Sequence, residues 1–350
     1  MVNAGVGHRL APRTVLLLGG ALLLAAFVAG SARGAFAISP GQLLALLLDT
    51  LAGNDAPSQE RLVFMNIRLP RLVLGVAAGA GLGLAGALMQ GLFRNSLADP
   101  GLIGISSGAA LAAGATIVLG AWWLPDAPRA LGSWLLVAAA FAGGLAVTAL
   151  VYTLAQGPAG THIGLMLLAG VAINALAGAG LGFLNFMATD EQLRNIQFWL
   201  LGSLGAARWS AVILVAAVVA VAAGVGLARA HALNAIALGE AQAALLGMNV
   251  ERVKRQVIVA TALAVGAVTA TTGIIGFIGL IAPHWVRLVA GPDHRVVLPA
   301  SALLGATLVL AADAVARTVL APAELPLGVL TAAIGVPMFL LLLRHFRSRV

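Results

Sequence analysis

Residues 68–101 read RLPRLVLGVAAGAGLGLAGALMQGLFRNSLADPG. From Leu72 to Phe93 this stretch carries no charge. A helix needs about 20 predominantly apolar residues to cross a hydrocarbon core of about 30 Å, and a span at roughly 70–91 meets that length. Gly75, Gly79 and Gly83 form two overlapping Gly-x-x-x-Gly patterns on one helix face. In lipid such small residues let two helix backbones approach closely, so the pattern marks a packing face rather than chemistry.

The same alternation of long apolar runs and polar punctuation covers the chain. Further spans fall at roughly 14–33, 101–121, 131–152, 161–184, 209–229, 256–275, 276–291, 296–316 and 325–343, which makes about ten helices in all. Composition agrees: 350 residues are 61% hydrophobic and 9% charged, with a mean hydropathy of +1.03. A soluble domain carries about 25% charged residues. Forty-three glycines fit tightly packed membrane helices. There is no cysteine, which removes disulfides and thiolate metal sites and leaves the redox compartment open. The expected fold class is an all-α polytopic membrane protein, a single transmembrane domain over 1–350, with further short helices on the cytoplasmic and periplasmic sides.

The formal charge of +8 raises the question of a nucleic-acid partner. If the N-terminus with Arg9 and Arg13 is cytoplasmic, alternation of the spans sorts every charge. The inner set is Arg9, Arg13, Arg94, Arg229, Arg252, Lys254, Arg255, Arg287, Arg295, Arg344, Arg347 and Arg349 against Asp99, Glu240, Glu251 and Asp293. The outer set pairs eight arginines with eight acidic residues, including Arg68, Arg71, Arg317, Asp313 and Glu324. The whole basic excess lies on one side, as the positive-inside rule requires. Nucleic acid is therefore not needed, and both termini are expected in the cytoplasm of a bacterial inner membrane.

A competing reading concerns residues 9–37, where a basic start, an apolar stretch and Ala35-Phe36-Ala37 outline a signal peptide. The stretch Thr14–Gly30 is longer than the usual apolar core of about 7–15 residues, which favours a retained span. Ser39–Leu51 and Asp190–Leu201 are too short or too polar to cross, and read as helices lying along the outer surface.

Several segments resemble the FecCD-type permeases of ATP-binding-cassette importers, which take up iron-siderophores, heme and cobalamin. They are Arg68-Leu69-Pro70-Arg71; Met89-Gln90-Gly91-Leu92-Phe93-Arg94-Asn95-Ser96-Leu97-Ala98-Asp99-Pro100-Gly101; Leu233–Glu240; Gly273–His284; Asp313-Ala314-Val315-Ala316-Arg317; and Glu324-Leu325-Pro326-Leu327-Gly328. They run in family order over about residues 60–345. The family's usual Asn-Pro-Leu-Ala reads Asn95-Ser96-Leu97-Ala98 here, which leaves the shape of that inner loop open. The resemblance implies a homodimer of permeases, two cytoplasmic ATPase subunits and a periplasmic binding protein, with no permanently bound cofactor. The residues add independent support for a separate motor. Lys254 is the only lysine and no Gly-x-x-x-x-Gly-Lys-Ser/Thr surrounds it, so the chain has no loop to cradle ATP phosphates.

Three groups of candidate site residues follow. Arg68, Arg71 and Arg317 stand at outer span ends; they either anchor to headgroups, with Arg317 paired to Asp313 one turn earlier, or, as the resemblance implies, receive glutamates from the binding protein. Gly239-Glu240-Ala241-Gln242-Ala243-Ala244-Leu245-Leu246-Gly247-Met248 reads as a short helix ended by Gly247, with Leu238, Ala241, Leu245 and Met248 on one face. That face either rests on the bilayer or, by the resemblance, couples to the ATPase. Asn95 and Leu97 match family positions that narrow the cytoplasmic mouth, and Thr161 and His162 begin the fifth span nearby as further gate candidates.

No metal site is expected. His8, His162, His231, His284, His294 and His345 are the only imidazoles, and none falls on an outer loop. His-Glu-x-x-His and Gly-x-Ser-x-Gly are absent. The rival from another class is an ion-driven secondary transporter, which tends to place ionisable groups near the bilayer midplane; here the acidic residues concentrate near span ends. Thr189-Asp190-Glu191-Gln192-Leu193-Arg194, followed by Phe198–Gly205, is most similar to heme-importing members. Heme is therefore the expected cargo, ahead of ferric siderophores and cobalamin.

Overall fold

The computed structural model describes residues 9–32, 41–42, 58–123, 132–158, 160–320 and 323–347. Its helices are α1 (Pro12–Ala32), α2 (Gln59–Val63), α3 (Leu69–Leu92), α4 (Ile105–Trp123), α5 (Trp134–Leu154), α6 (Ile163–Met187), α7 (Asp190–Leu201), α8 (Trp209–Ala228), α9 (Ala230–Leu238), α10 (Glu240–Leu245), α11 (Val250–Thr272), α12 (Ile278–Ala290), α13 (His294–Ala316) and α14 (Leu327–Arg347). One π-helical turn, Phe64–Arg68, joins α2 to α3. Two-residue strands β1 (Gln156–Gly157) and β2 (Gly160–Thr161) pair antiparallel in the α5–α6 connection. Among the described residues, seven helices are long and apolar enough to cross a membrane, and shorter apolar helices lie at Ile105–Gly120, Ile278–Ala290 and Leu327–Leu341. Each of these ten segments overlaps one of the ten expected spans. The protein is an all-α polytopic membrane protein.

The spans divide by what surrounds them. The helices α3 and α11 are the most buried and pack on one another, with α8 against both. In contrast α1, α5, α6 and α8 turn large apolar side chains outward, among them Leu24, Leu168, Phe186 and Val221. Water would penalise such surfaces; lipid does not, because its acyl chains are as apolar as the side chains they meet.

The glycine face of α3 packs as expected. A Cβ at Gly79 would overlap the Gly305 carbonyl, and one at Gly83 the Ser301 carbonyl, so the backbones of α3 and α13 touch. On another face Gly86 meets the Gly279 carbonyl of α12. The helix α7 begins with a capping box, Thr189 accepting from Gln192 N while Gln192 accepts from Thr189 N. The Gln192 amide also donates to the Ile117 carbonyl of α4 at 3.2 Å. The Ser39–Leu51 helix and Ala35–Ala37 lie largely or wholly outside the described residues.

Two expectations need correction. The third span does not start at 101. After α3 the chain turns back beside that helix, makes one 3-10 turn (Pro100–Ile103) and enters α4 only at Ile105. Pro100 lies against Gly279, close to the carbonyl of Leu82 in the middle of α3. The carbonyl of Gly101 accepts from Asn174, halfway along α6. Asp99 therefore does not belong with the loop charges, because it lines a cavity of about 200 Å³ with Leu82, Ser106, Thr269 and Phe277. Acidic groups are thus not confined to span ends in depth, only in sequence. Second, the 230–255 connection holds one more helix than expected: α9 precedes the short helix α10, fixed by Leu233 and Ile236 in the core.

Candidate functional site

Chemistry-bearing side chains gather at the two ends of the helices. At one end, Arg68, Arg71 and Arg317 come together from α3, the turn before it and the end of α13. Arg71 Nε and Nη2 donate to Asp313 Oδ1 at 3.0 and 2.8 Å, while Nη1 and Nη2 donate to Glu324 at 2.9 Å each. Its planar fork is thus filled by two carboxylates. Arg317 Nε lies 3.0 Å from Asp313 Oδ2, the one-turn pair the sequence allows, and its Nη2 donates to the Gly30 carbonyl of α1 at 3.2 Å. Arg68 donates to the Ser31 carbonyl at 2.7 Å. All three guanidinium groups are buried, and so is Asp313, at 1% exposure. Glu324 remains partly open, and the Arg71 hydrogen bonds hold its carboxyl below the usual range despite its partial burial. Among the described residues, Asp313 and Glu324 supply the carboxylates that face this arginine cluster.

The opposite end carries α10. Gly239 and Gly247 both have positive φ, 133° and 79°, which bounds the helix on each side with conformations that favour glycine. Ala243 is buried beneath it. Leu238, Leu245 and Leu246 point outward, Leu245 with 88% of its surface exposed. Met248 does not join that face. The left-handed turn at Gly247 sends the chain back, Met248 N donates to the Ala243 carbonyl, and the side chain packs on the core. Leu246 takes its place on the outer face. Ala241, Gln242 and Ala244 are exposed beside it.

The gate candidates separate into two places. Asn95 Oδ1 accepts from Leu97 N at 2.9 Å, a side-chain-closed turn that shapes the loop without the family's proline. Arg94 before it takes φ of 52°. Thr161 is buried and clamped: its N and Oγ1 donate to Glu251 Oε2 at 2.9 and 2.7 Å, and its carbonyl accepts from Lys254 Nζ at 2.9 Å. His162 is exposed, with its ring over Gly157. No hydrogen bond among the described residues joins Asn95 or Leu97 to Thr161 or His162.

Two groups that matter were not singled out from sequence. Lys254, considered only for its lack of a phosphate-binding loop, bonds Glu240 Oε2 at 2.6 Å and Glu251 Oε1 at 3.0 Å besides Thr161. Asn234, inside the Leu233–Glu240 motif, donates to Asp293 at 2.8 Å and accepts from His294 N at 2.9 Å, which ties α9 to the start of α13. Asp293 also accepts from Arg295, and these hydrogen bonds hold it well below the usual carboxylate range. His284 and His294 are buried, and no group of three or more His, Asp or Glu is placed to hold a metal ion among the described residues.

Ten apolar helices, two polar ends and a core of touching backbones define a membrane-spanning permease subunit. Residues 22–345 match the FecCD transport family, and the chain belongs to it. It is 43% identical to the hemin transport system permease protein HmuU of Yersinia pestis over 97% of this chain and 98% of that protein. It is 38% identical to the vitamin B12 import system permease protein BtuC of Klebsiella pneumoniae over 91% of this chain and 96% of that one. A solved structure described as an inward-facing conformation of a metal-chelate type ABC transporter superposes with a TM-score of 0.81 at 28% identity, over 95% of this chain and 99% of that one. The chain is an importer permease of the ATP-binding-cassette class.

Proposed function

We propose that this permease forms a homodimer in the bacterial inner membrane and passes heme from periplasm to cytoplasm, driven by two separate ATPase subunits and fed by a periplasmic binding protein. The observation that carries the coupling is the outward apolar face of Leu238, Leu245 and Leu246 on a helix otherwise held to the core. An amphipathic helix of this kind fits an apolar groove on a partner. In this orientation α10 and both termini face the cytoplasm, the arginine cluster faces the periplasm, and 1–350 act as one permease domain. The permease catalyses no covalent step and keeps no cofactor.

Docking of the binding protein belongs at the arginine cluster. An incoming carboxylate would compete with the partly exposed Glu324 for the outer donors of Arg71. Asn95, Leu97, Thr161 and His162 lie on the cytoplasmic side in this orientation and form its gate.

Heme as cargo rests on the full-length similarity to a hemin permease. Vesicles containing the permease, its ATPase and the binding protein should accumulate hemin in an ATP-dependent manner. Accumulation of cyanocobalamin or a ferric siderophore in place of hemin would transfer the assignment to that cargo. Leu245→Asp should release the ATPase during purification while the spans stay folded; retention of the ATPase would remove α10 as its docking helix.

A further inference from the structure

We propose that Lys254 is the positioning residue that transmits movement of α10 to the loop carrying Thr161. This rests on the reading of α10 as the ATPase-docking helix. An ammonium group has three donors. Here each has one acceptor, and each acceptor belongs to a different element: Glu240 Oε2 on α10 at 2.6 Å, the Thr161 carbonyl on β2 at 2.9 Å, and Glu251 Oε1 on α11 at 3.0 Å. The Lys254 side chain is 3% exposed, so water does not take over these contacts. Glu251 completes the clamp by accepting from both Thr161 N and Thr161 Oγ1. Every polar group of Thr161 is therefore held by the first turn of α11.

The link is selective. Among the described residues, the Glu240–Lys254 pair is the sole side-chain hydrogen bond from α10 to another helix. Glu240 is the first residue of α10, next to Gly239, whose φ of 133° lets that helix pivot relative to α9. Lys254 opens α11, which runs through the core beside α3 and does not deform easily. Displacement of α10 thus reaches the β1–β2 hairpin through one nitrogen. A lysine suits this geometry because its three donors diverge, whereas the donors of arginine lie in a plane.

The absence of cysteine permits a direct test. In the assembled complex, a nitroxide on Pro158→Cys at the exposed tip of the hairpin should change mobility when ATP binds. In Lys254→Met, which keeps an apolar stem and removes the ammonium, the ATPase should still co-purify and hydrolyse ATP, but the nitroxide response should fall about tenfold. Glu240→Ala removes the α10 acceptor and leaves Thr161 clamped, so it should show the same loss without disturbing the fold. A full ATP response in both variants would overturn the proposal. Loss of the ATPase from Glu240→Ala would overturn it as well, because the pair would then serve docking. The Leu245→Asp result is read separately: if that variant keeps its ATPase, the docking helix is elsewhere, whatever Lys254 does.

Discussion

Arg71 and Asp313 are 242 residues apart in sequence and share two hydrogen bonds, of 3.0 and 2.8 Å, at the outer edge of the core. The pair fixes the start of α3 to the end of α13, the same two helices whose glycines touch farther along. Removing one member of a buried pair costs about 3–5 kcal/mol, because the other charge is left without its counterion. Arg71→Met should therefore lower the Tm of the purified permease clearly, and Asp313→Asn should lower it too. A Tm within a degree of the parent for both variants would show that the pair contributes nothing to stability.

That burial changes how docking is best tested. Reversing Arg71 to Glu would disturb the fold and the docking surface together. Glu324→Gln is the cleaner variant, since it leaves Asp313 paired and removes only the exposed competitor for Arg71. Binding-protein affinity at low salt should rise by a few fold, and the gain should shrink as salt screens the charge on Arg71. Unchanged affinity would place the binding protein's acidic contacts elsewhere.

The acid limb of stability follows from two carboxylates held below their usual range, Glu324 by Arg71 and Asp293 chiefly by Arg295 with Asn234. A carboxylate with a depressed folded-state pKa stabilises the protein above its unfolded value and loses that contribution as pH falls through the folded one. Stability should thus hold near neutrality and decline below about pH 4, where unfolded Asp and Glu titrate. Asp293→Asn and Glu324→Gln should each flatten this decline in a pH series of melting curves. Superimposable series for parent and variants would remove these groups as its cause.

The glycines of α3 divide by neighbour rather than by sequence. Gly83→Ala drives a methyl into the Ser301 carbonyl of a helix that cannot recede, and overpacking of this kind costs about 1–3 kcal/mol. Gly20→Ala in α1 meets nothing within 4 Å and should leave the Tm unchanged. Thermal melts of the two variants side by side check the contrast.

Much of this fold was legible because lipid accepts so few solutions. A hydrocarbon layer demands about 20 apolar residues per helix, and ten such runs stand out between charged punctuation. Depth was less legible. Asp99 follows α3 by seven residues and reads as a loop charge, yet Pro100 docks at the start of α12 beside the middle of α3, and Gly101 halfway along α6. Nothing in local composition reports that a chain turns back beside its own helix. The face of α10 was readable from spacing up to Gly247, where the left-handed turn removed Met248 and exposed Leu246 instead. Long-range partners were beyond reach: Lys254 meets Thr161 across 93 residues, and a single lysine in sequence does not announce three acceptors.

The buried state of Lys254 also makes the clamp observable without any mutation. It is the only side-chain amine in the protein, and a nitrogen shared among three oxygens has no lone pair to offer an acylating reagent. Acetylation at this one position then becomes a clock, running only while the clamp is open. Its rate under apo, ATP-bound and ADP-bound conditions, followed by mass spectrometry, would report how nucleotide changes the open fraction of the clamp in the native permease.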